Sequence, residues 1–311
     1  MEISNSINKL QDAVQVLKGV AEPTRLRLMA LLSHGELTVG EICEILEQSQ
    51  PRVSRHLGLL SEAGLLDRLP EQQSVYYRMP VGGPRLKGLE LLLQHLQATD
   101  PRLGHDHRRM MAVIAARGRA AEQQLGPGEG AALADADQRA LGQILTEGLS
   151  GSGIGELLDV GTGGGRMLQI LAPRASRALG VDISAPALRL ARSRLHEAGL
   201  SNCEFQRGDM YALPCVDQSF DTVSMDQVLA QAERPAAALA EAVRALRPGG
   251  RLIMIEEFDA LDGQGGDNPL RRVRRWLSAA QLEPERLLPC DLAAGHYLVA
   301  LAHRNAPVRG S

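Results

Sequence analysis

The chain has 311 residues, enough for two packed domains, and its 44% hydrophobic and 23% charged composition is that of an ordinary globular protein. Four widely spaced cysteines (Cys43, Cys203, Cys215, Cys290) form no CxxC pair, which excludes a disulfide framework and predicts reduced thiols in a cytoplasmic protein. The net charge of -3 offers no general attraction to polyanions, and neither a leader pattern nor a bilayer-length apolar run predicts membrane contact.

Any nucleic-acid affinity must therefore come from locally placed Arg and Lys. Ile7, Leu10, Val14 and Leu17 recur at helical spacing and predict a first amphipathic helix. Pro23 opens a second, in the first turn where its missing N–H costs nothing. Thr38-Val39-Gly40-Glu41 is a capping box that starts a third helix, running through Leu46. Ser49 is positioned to cap a fourth, with Pro51 in its first turn and Gly64 at its end. There Val53, Leu57 and Leu60 face the core, while Arg52, Ser54, Arg55 and His56 point outward as a hydrogen-bonding face. Two short strands near 65–69 and 74–79 follow, joined by Pro70-Glu71-Gln72-Gln73. Helices, helix-turn-helix and then a hairpin is a winged-helix order, in which the recognition helix docks in the major groove.

The stretches EPTRLRLMALL (22–32), LTVGEI (37–42), SQPRVSRHL (49–57) and LSEAGLL (60–66) resemble the ArsR/SmtB family of bacterial repressors. The resemblance implies a homodimer that binds double-stranded operator DNA and leaves it when a ligand binds. It makes Gln50, Arg52, Ser54, Arg55 and His56 the base and phosphate contacts, and sets Arg68 and the wing on the backbone or minor groove. Glu71 stands at the wing tip where the family usually has a basic residue.

Many members of that family sense metals, and this chain departs from their sites. Thr38 and Gly40 occupy the positions of the Cys-x-Cys pair used for arsenic and cadmium, leaving only Cys43, and a single thiolate does not select a soft metal. His105-Asp106-His107, with His95 and Asp100 upstream, lacks the family's zinc-ligand spacing and reads as a solvated polar hinge. No metal site is assigned.

Leu86, Leu89, Leu93 and Leu96 form another helical stripe, which by the resemblance packs against the first helix of a partner subunit. Pro101 and Gly104 break it, and further helices are expected from about 108 to 125 and from 135 to 149. Gly126-Pro127-Gly128-Glu129-Gly130 and Gly151-Ser152-Gly153 are joints that absorb backbone rotation. The expected organisation is a DNA-binding and dimerisation domain over 1–103, a helical connector over 104–152 and a third segment over 153–305.

From Ile154 onward short apolar strands alternate with amphipathic helices, which predicts a parallel sheet covered on both faces. Strands are expected near 156–160, 178–182, 204–207, 222–225 and 251–255, helices near 166–171, 186–198 and 235–246, and a final strand pair near 285–288 and 296–302. Leu157-Leu158-Asp159-Val160-Gly161-Thr162-Gly163-Gly164-Gly165 joins the first strand to its helix. Its glycines allow a tight turn and close backbone approach at a helix N-terminus. Asp182 follows about 20 residues on at the end of the next strand, where a ribose-hydroxyl acceptor belongs. Gly208-Asp209-Met210 ends the third strand, Phe220-Asp221-Thr222-Val223 begins the fourth, and Arg247-Pro248-Gly249-Gly250 precedes the fifth. A nicotinamide-binding domain spaces its glycines GxGxxG, whereas this loop is GxGxG.

The stretch 156–257 resembles class I S-adenosylmethionine (SAM) methyltransferases. The fold class implied for the whole chain is thus a mostly-α winged helix-turn-helix domain followed by a Rossmann-like, seven-stranded α/β domain. By the resemblance Asp159, Gly161, Thr162 and Gly163 hold the methionine end of SAM or S-adenosylhomocysteine (SAH), and Asp182 holds the ribose. Asp209 and Met210 take the adenine, with Ile183 packing beside it, and Asp226 and Gln227 face the sulfur. The acceptor side is thinner. Leu229-Ala230-Gln231-Ala232 replaces the His-rich LHHL stretch of many small-molecule methyltransferases, and Leu261-Asp262-Gly263-Gln264-Gly265-Gly266 offers little to wall a pocket. Arsenite methylation would need converging thiolates that the cysteine spacing does not provide. Glu256, Glu257 and Asp259 at the carboxyl end of the fifth strand are candidate bases or lid contacts, although such residues are more often simply solvated. The layout resembles bacterial regulators of methionine-cycle genes, so the expected function is a transcriptional regulator whose methyltransferase-like domain binds SAM or SAH as effector. The alternative is an active small-molecule methyltransferase that regulates its own operon, and no catalytic residue is assigned.

Overall fold

The computed structural model describes residues 2–71, 74–81, 86–126, 134–149, 153–262 and 268–305. The Gln72-Gln73 wing tip, most of the two Gly-rich joints and the Gly263–Gly266 run lie outside the described residues. The chain forms two compact units, Met1–Ala120 with His196–Ser201, and Ala121–Leu195 with Asn202–Ser311.

The first unit contains α1 (Glu2–Val20), α2 (Pro23–Leu32), β1 (Leu37–Thr38), α3 (Val39–Leu46), α4 (Gln50–Glu62), β2 (Asp67–Glu71), β3 (Ser74–Arg78), α5 (Lys87–Thr99) and α6 (Pro101–Glu122). The capping box forms as the sequence predicts: Glu41 N–H donates to Thr38 Oγ1 at 3.2 Å and Thr38 N–H to Glu41 Oε2 at 2.7 Å. Ser49 occupies the N-cap of α4, but its side chain makes no capping bond; its carbonyl accepts from Arg52 and Val53 N–H. β1, β3 and β2 form an antiparallel sheet in that order, giving the wing. Leu28, Leu32, Ile42, Val53, Leu57 and Leu60 pack in the core beneath it.

Three expectations for this unit are revised. α6 begins at Pro101 rather than near 108, because Asp100 Oδ1 accepts from Arg102 N–H at 2.8 Å and caps a helix that proline is well suited to start. Gly104 lies inside that helix. Leu86, Leu89 and Leu93 are buried in the unit's own core instead of facing a partner. On α1 it is Val16 and Val20 that are buried, leaving Leu10, Val14 and Leu17 exposed at 69%, 40% and 59%.

The second unit contains α7 (Asp135–Gly148), β4 (Gly155–Val160), α8 (Arg166–Leu171), β5 (Ala175–Asp182), α9 (Ala185–Glu197), β6 (Cys203–Arg207), β7 (Phe220–Asp226), α10 (Pro235–Ala245), β8 (Leu246–Glu257), α11 (Phe258–Asp262), α12 (Pro269–Ala279), β9 (Leu282–Leu292) and β10 (Gly295–Arg304). The seven strands order β6-β5-β4-β7-β8-β10-β9. All pairings from β6 to β8 are parallel, and β10 enters antiparallel between β8 and β9. Leu252, Ile253, Met254 and Ile255 are all buried, the continuous apolar run of a strand covered on both faces. α11 and α12 flank the Gly-rich run, whose composition alone reads as a loop and marks no helix on either side.

The topology positions the site. From β4 the chain moves to β5 and β6 on one side, then returns to lay β7 on the other. Ligand crevices of open α/β sheets form at such a reversal, outside the carboxyl ends of the strands.

Candidate functional site

In the first unit, α4 presents a polar face to solvent. Gln50, Arg52, Ser54 and Arg55 are exposed around the buried Val53–Leu57–Leu60 stripe. His56 departs from it: the ring is half-buried, with Nδ1 3.7 Å from Glu22 Oε2, the carboxylate that also caps α2. Arg68 is exposed on β2 opposite Tyr77, whereas Arg78 is buried beside Asp67. Asp106 is not part of a solvated hinge, since it is buried and held by Arg27 through two bonds of 2.7 Å. Among the described residues no group of three or more His, Cys, Asp or Glu is placed to hold a metal ion. All four cysteines are free thiols.

In the second unit the glycine loop leaves β4 and turns back on β5. Gly161 and Thr162 N–H both donate to the Val181 carbonyl, at 2.8 and 3.0 Å. Gly161 has φ +69°, and a Cβ there would fall 2.5 Å from Val228 Cγ2. Gly163 has φ +51°, but a Cβ on it would meet no atom closer than Gly161 O at 3.9 Å, so this glycine opens onto the crevice. Asp182 sits at the tip of β5 and accepts from Gly163 N–H and Ser184 N–H, both at 2.8 Å. Ile183, the next residue, presents its side chain 63% exposed. Asp209 is exposed and accepts from Tyr211 N–H, while Met210 packs partly into the core.

Asp159 is buried beneath the loop. Its Oδ2 accepts from Thr162 Oγ1 at 2.6 Å and its Oδ1 from Ser224 Oγ at 2.7 Å. Burial, together with the charges of Asp226 and Asp182, pushes its pKa up to about 7. It is thus an internal brace of the loop, one step removed from the crevice surface.

Sequence reasoning passed over the residues that close the far wall. Arg166, the first residue of α8, makes a bidentate ion pair with Asp226 at the end of β7, with Nε 2.6 Å from Oδ2. Tyr297 on β10 lies near the guanidinium, and the Gln227 side chain lies against it. Gln227 itself has φ +56°, its N–H held by the Ile255 carbonyl at 2.7 Å. Glu256 is fully buried rather than solvated: its carboxylate accepts from Val228, Leu229 and Ala230 N–H at 3.2, 2.7 and 3.3 Å. Burial raises its pKa to about 7. A cation directly after a glycine loop was the one sequence signal that pointed to Arg166.

The two units have a winged helix-turn-helix fold and a Rossmann-like, seven-stranded α/β fold. Residues 22–68 match the family described as bacterial regulatory protein, arsR family, and residues 158–254 match that described as methyltransferase domain. The chain accordingly joins an arsR-family domain to a methyltransferase-family domain. It is 48% identical over 67 residues to the arsenical resistance operon repressor of Escherichia coli K12, covering 21% of this chain and 57% of that one. It is 36% identical over 101 residues to the demethylmenaquinone methyltransferase of Tropheryma whipplei, covering 32% of this chain and 41% of that one. Among solved structures, the N-methyltransferase NodS of Bradyrhizobium japonicum WM9, in complex with SAH, is 21% identical with a TM-score of 0.48, covering 60% of this chain and 98% of that one. The chain spans from 31% to 57% of the length of the curated relatives it matches.

Proposed function

We propose that this protein is a cytoplasmic transcriptional regulator, a homodimeric repressor, whose methyltransferase-like domain binds SAM or SAH and thereby sets affinity for operator DNA. The observation that carries the sensing role is the engagement of the carboxylates at the carboxyl ends of β7 and β8. In the ligand-free chain Asp226 is held by Arg166, and Glu256 is buried under three backbone N–H groups, which favours a binding role over base catalysis. The nucleoside side is fitted to a ligand. A Cβ on Gly163 would project into open space beside the loop, Asp182 carries its carboxylate to the tip of β5, and Ile183 is an exposed apolar side chain, which supports ribose and adenine contacts there. Asp159, Gly161, Thr162 and Gly163 form the loop for the methionine end, Asp209 and Met210 serve the adenine, and Asp226 with Gln227 faces the sulfur.

On the DNA side Gln50, Arg52, Ser54 and Arg55 read the major groove, and Arg68 contacts the backbone beside it. His56 supports the helix through Glu22 more than it reaches DNA. The exposed Leu10, Val14 and Leu17 recur on one face of α1, and Leu91 and Leu92 of α5 are exposed at 68% and 41%. Such surface favours pairing with a second copy. Coupling follows from linkage: a ligand preferring the DNA-free state lowers DNA affinity by the same factor that DNA lowers its own. An operator-binding titration in the presence of SAM and of SAH, separately, tests this reading.

The 36% identity to the demethylmenaquinone methyltransferase over 101 residues favours the second reading, a small-molecule methyltransferase regulating its own expression. Methyl transfer requires alignment more than acid–base chemistry, since the sulfonium is already activated. Turnover of labelled methyl groups onto candidate acceptors, abolished in Asp159→Ala, would replace the sensing account with this one.

A further inference from the structure

Two contacts close the crevice between the glycine loop and the end of β7. Asp226 lies one residue beyond Met225, the register partner of Val160, and so stands across from the start of the glycine loop. Gly161 approaches Val228 as closely as a missing Cβ allows, and Arg166 reaches over to grip Asp226 with both arms of its guanidinium. Both side chains of the pair are largely withdrawn from water, at 15% and 9% exposure. A cation and a carboxylate, the two charges that an α-amino acid carries, thus lie together beside the loop.

We propose, resting on the ligand reading above, that the Arg166–Asp226 pair is an internal competitor for the amino-acid end of the ligand. An incoming α-carboxylate replaces the Asp226 carboxylate in the Arg166 fork, which is shaped for planar, two-bond recognition. The released Asp226 then faces the sulfur end of the ligand, where SAM alone carries a positive charge. The ligand class this site takes is therefore a nucleoside bearing a zwitterionic amino acid, and one without that end meets a closed pair. Asp226 also becomes a specificity residue, since its charge favours a sulfonium over a neutral thioether.

Calorimetric titration of the full chain and two variants with SAM, SAH and 5′-methylthioadenosine tests this, the last probe lacking the amino-acid end. Arg166→Gln should weaken SAM and SAH about tenfold or more, the scale of a lost charge-assisted pair, and leave 5′-methylthioadenosine within about twofold. Asp226→Asn frees the fork, so SAH should bind at least about threefold tighter while the ratio of SAM to SAH affinity falls. Equal weakening of all three probes by Arg166→Gln would mean that the arginine only supports the fold. Unchanged SAH affinity in Asp226→Asn would mean that the pair competes with nothing. Either result overturns the exchange and leaves the ligand reading standing. Wild-type protein that binds neither SAM nor SAH removes the ligand reading itself.

Discussion

Asp182 and Gly163 are joined across the mouth of the crevice: the carboxylate at the tip of β5 accepts the loop N–H at 2.8 Å, while its other oxygen takes Ser184 N–H. One residue therefore fixes the loop, starts the segment leading into α9 and faces the crevice. Asp182→Ala should cost about 1–2 kcal/mol in urea denaturation, the scale of buried donors left unpaired, and weaken SAH at least about tenfold in calorimetry. Denaturation and SAH affinity both unchanged would remove Asp182 from the site.

Gly161 presents a separate test of the loop. Gly161→Ala meets both a left-handed backbone and Val228 Cγ2 at 2.5 Å, so it should destabilise by about 1–3 kcal/mol. Adding Val228→Ala removes the collision but not the backbone cost. Thermal melts of the double variant should therefore recover only part of the loss. Full recovery would show that φ contributes nothing here.

Much of this architecture was legible in the chain. Period and composition placed the parallel strands within a few residues, because a strand such as Leu252–Ile255 is buried on both faces and has no other way to fold. Local chemistry was equally readable: the Thr38–Glu41 box and the glycine loop each depend on residues within one turn. What stayed hidden depends on long-range approach. Arg166 and Asp226 are 60 positions apart, and nothing near either one announces the other. Glu256 reads as solvated until the sheet carries the 228–230 backbone onto it. Helical spacing gave α1 one apolar stripe, but Val16 and Val20 took the core and left Leu10, Val14 and Leu17 outside.

The pH dependence of stability follows from Asp159 and Glu256, both held near a pKa of about 7, against ordinary values of 3.8 and 4.5. The folded state keeps protons that the unfolded chain has already released, so their contribution is full below about pH 4 and is lost as pH rises through about 7. Glu256→Gln should gain stability relative to wild type between pH 5 and pH 8, by on the order of 1–3 kcal/mol. Parallel denaturation profiles across that range would contradict the assignment.

Exposed leucines on α1 carry the dimer prediction. Leu10→Glu with Leu17→Glu should give a monomer by sedimentation, with operator binding weakened at least about a hundredfold because two half-sites no longer bind together. A doubly substituted chain that still sediments as a dimer would place the interface elsewhere.

Arg52 and Arg55 carry the DNA prediction. Alanine at either should lower operator affinity and, where the contact is to phosphate, reduce the salt slope of binding by about 1. Unaltered affinity and slope in both variants would take α4 out of the groove.

Coupling between the two domains is the central claim, and one titration reaches it most directly: operator affinity of the full chain measured without ligand, with saturating SAM and with saturating SAH. The account predicts that at least one of them shifts operator affinity by about fivefold or more, with operator DNA shifting that ligand's affinity by the same factor. Unchanged operator affinity while calorimetry shows the ligand site filled would contradict it.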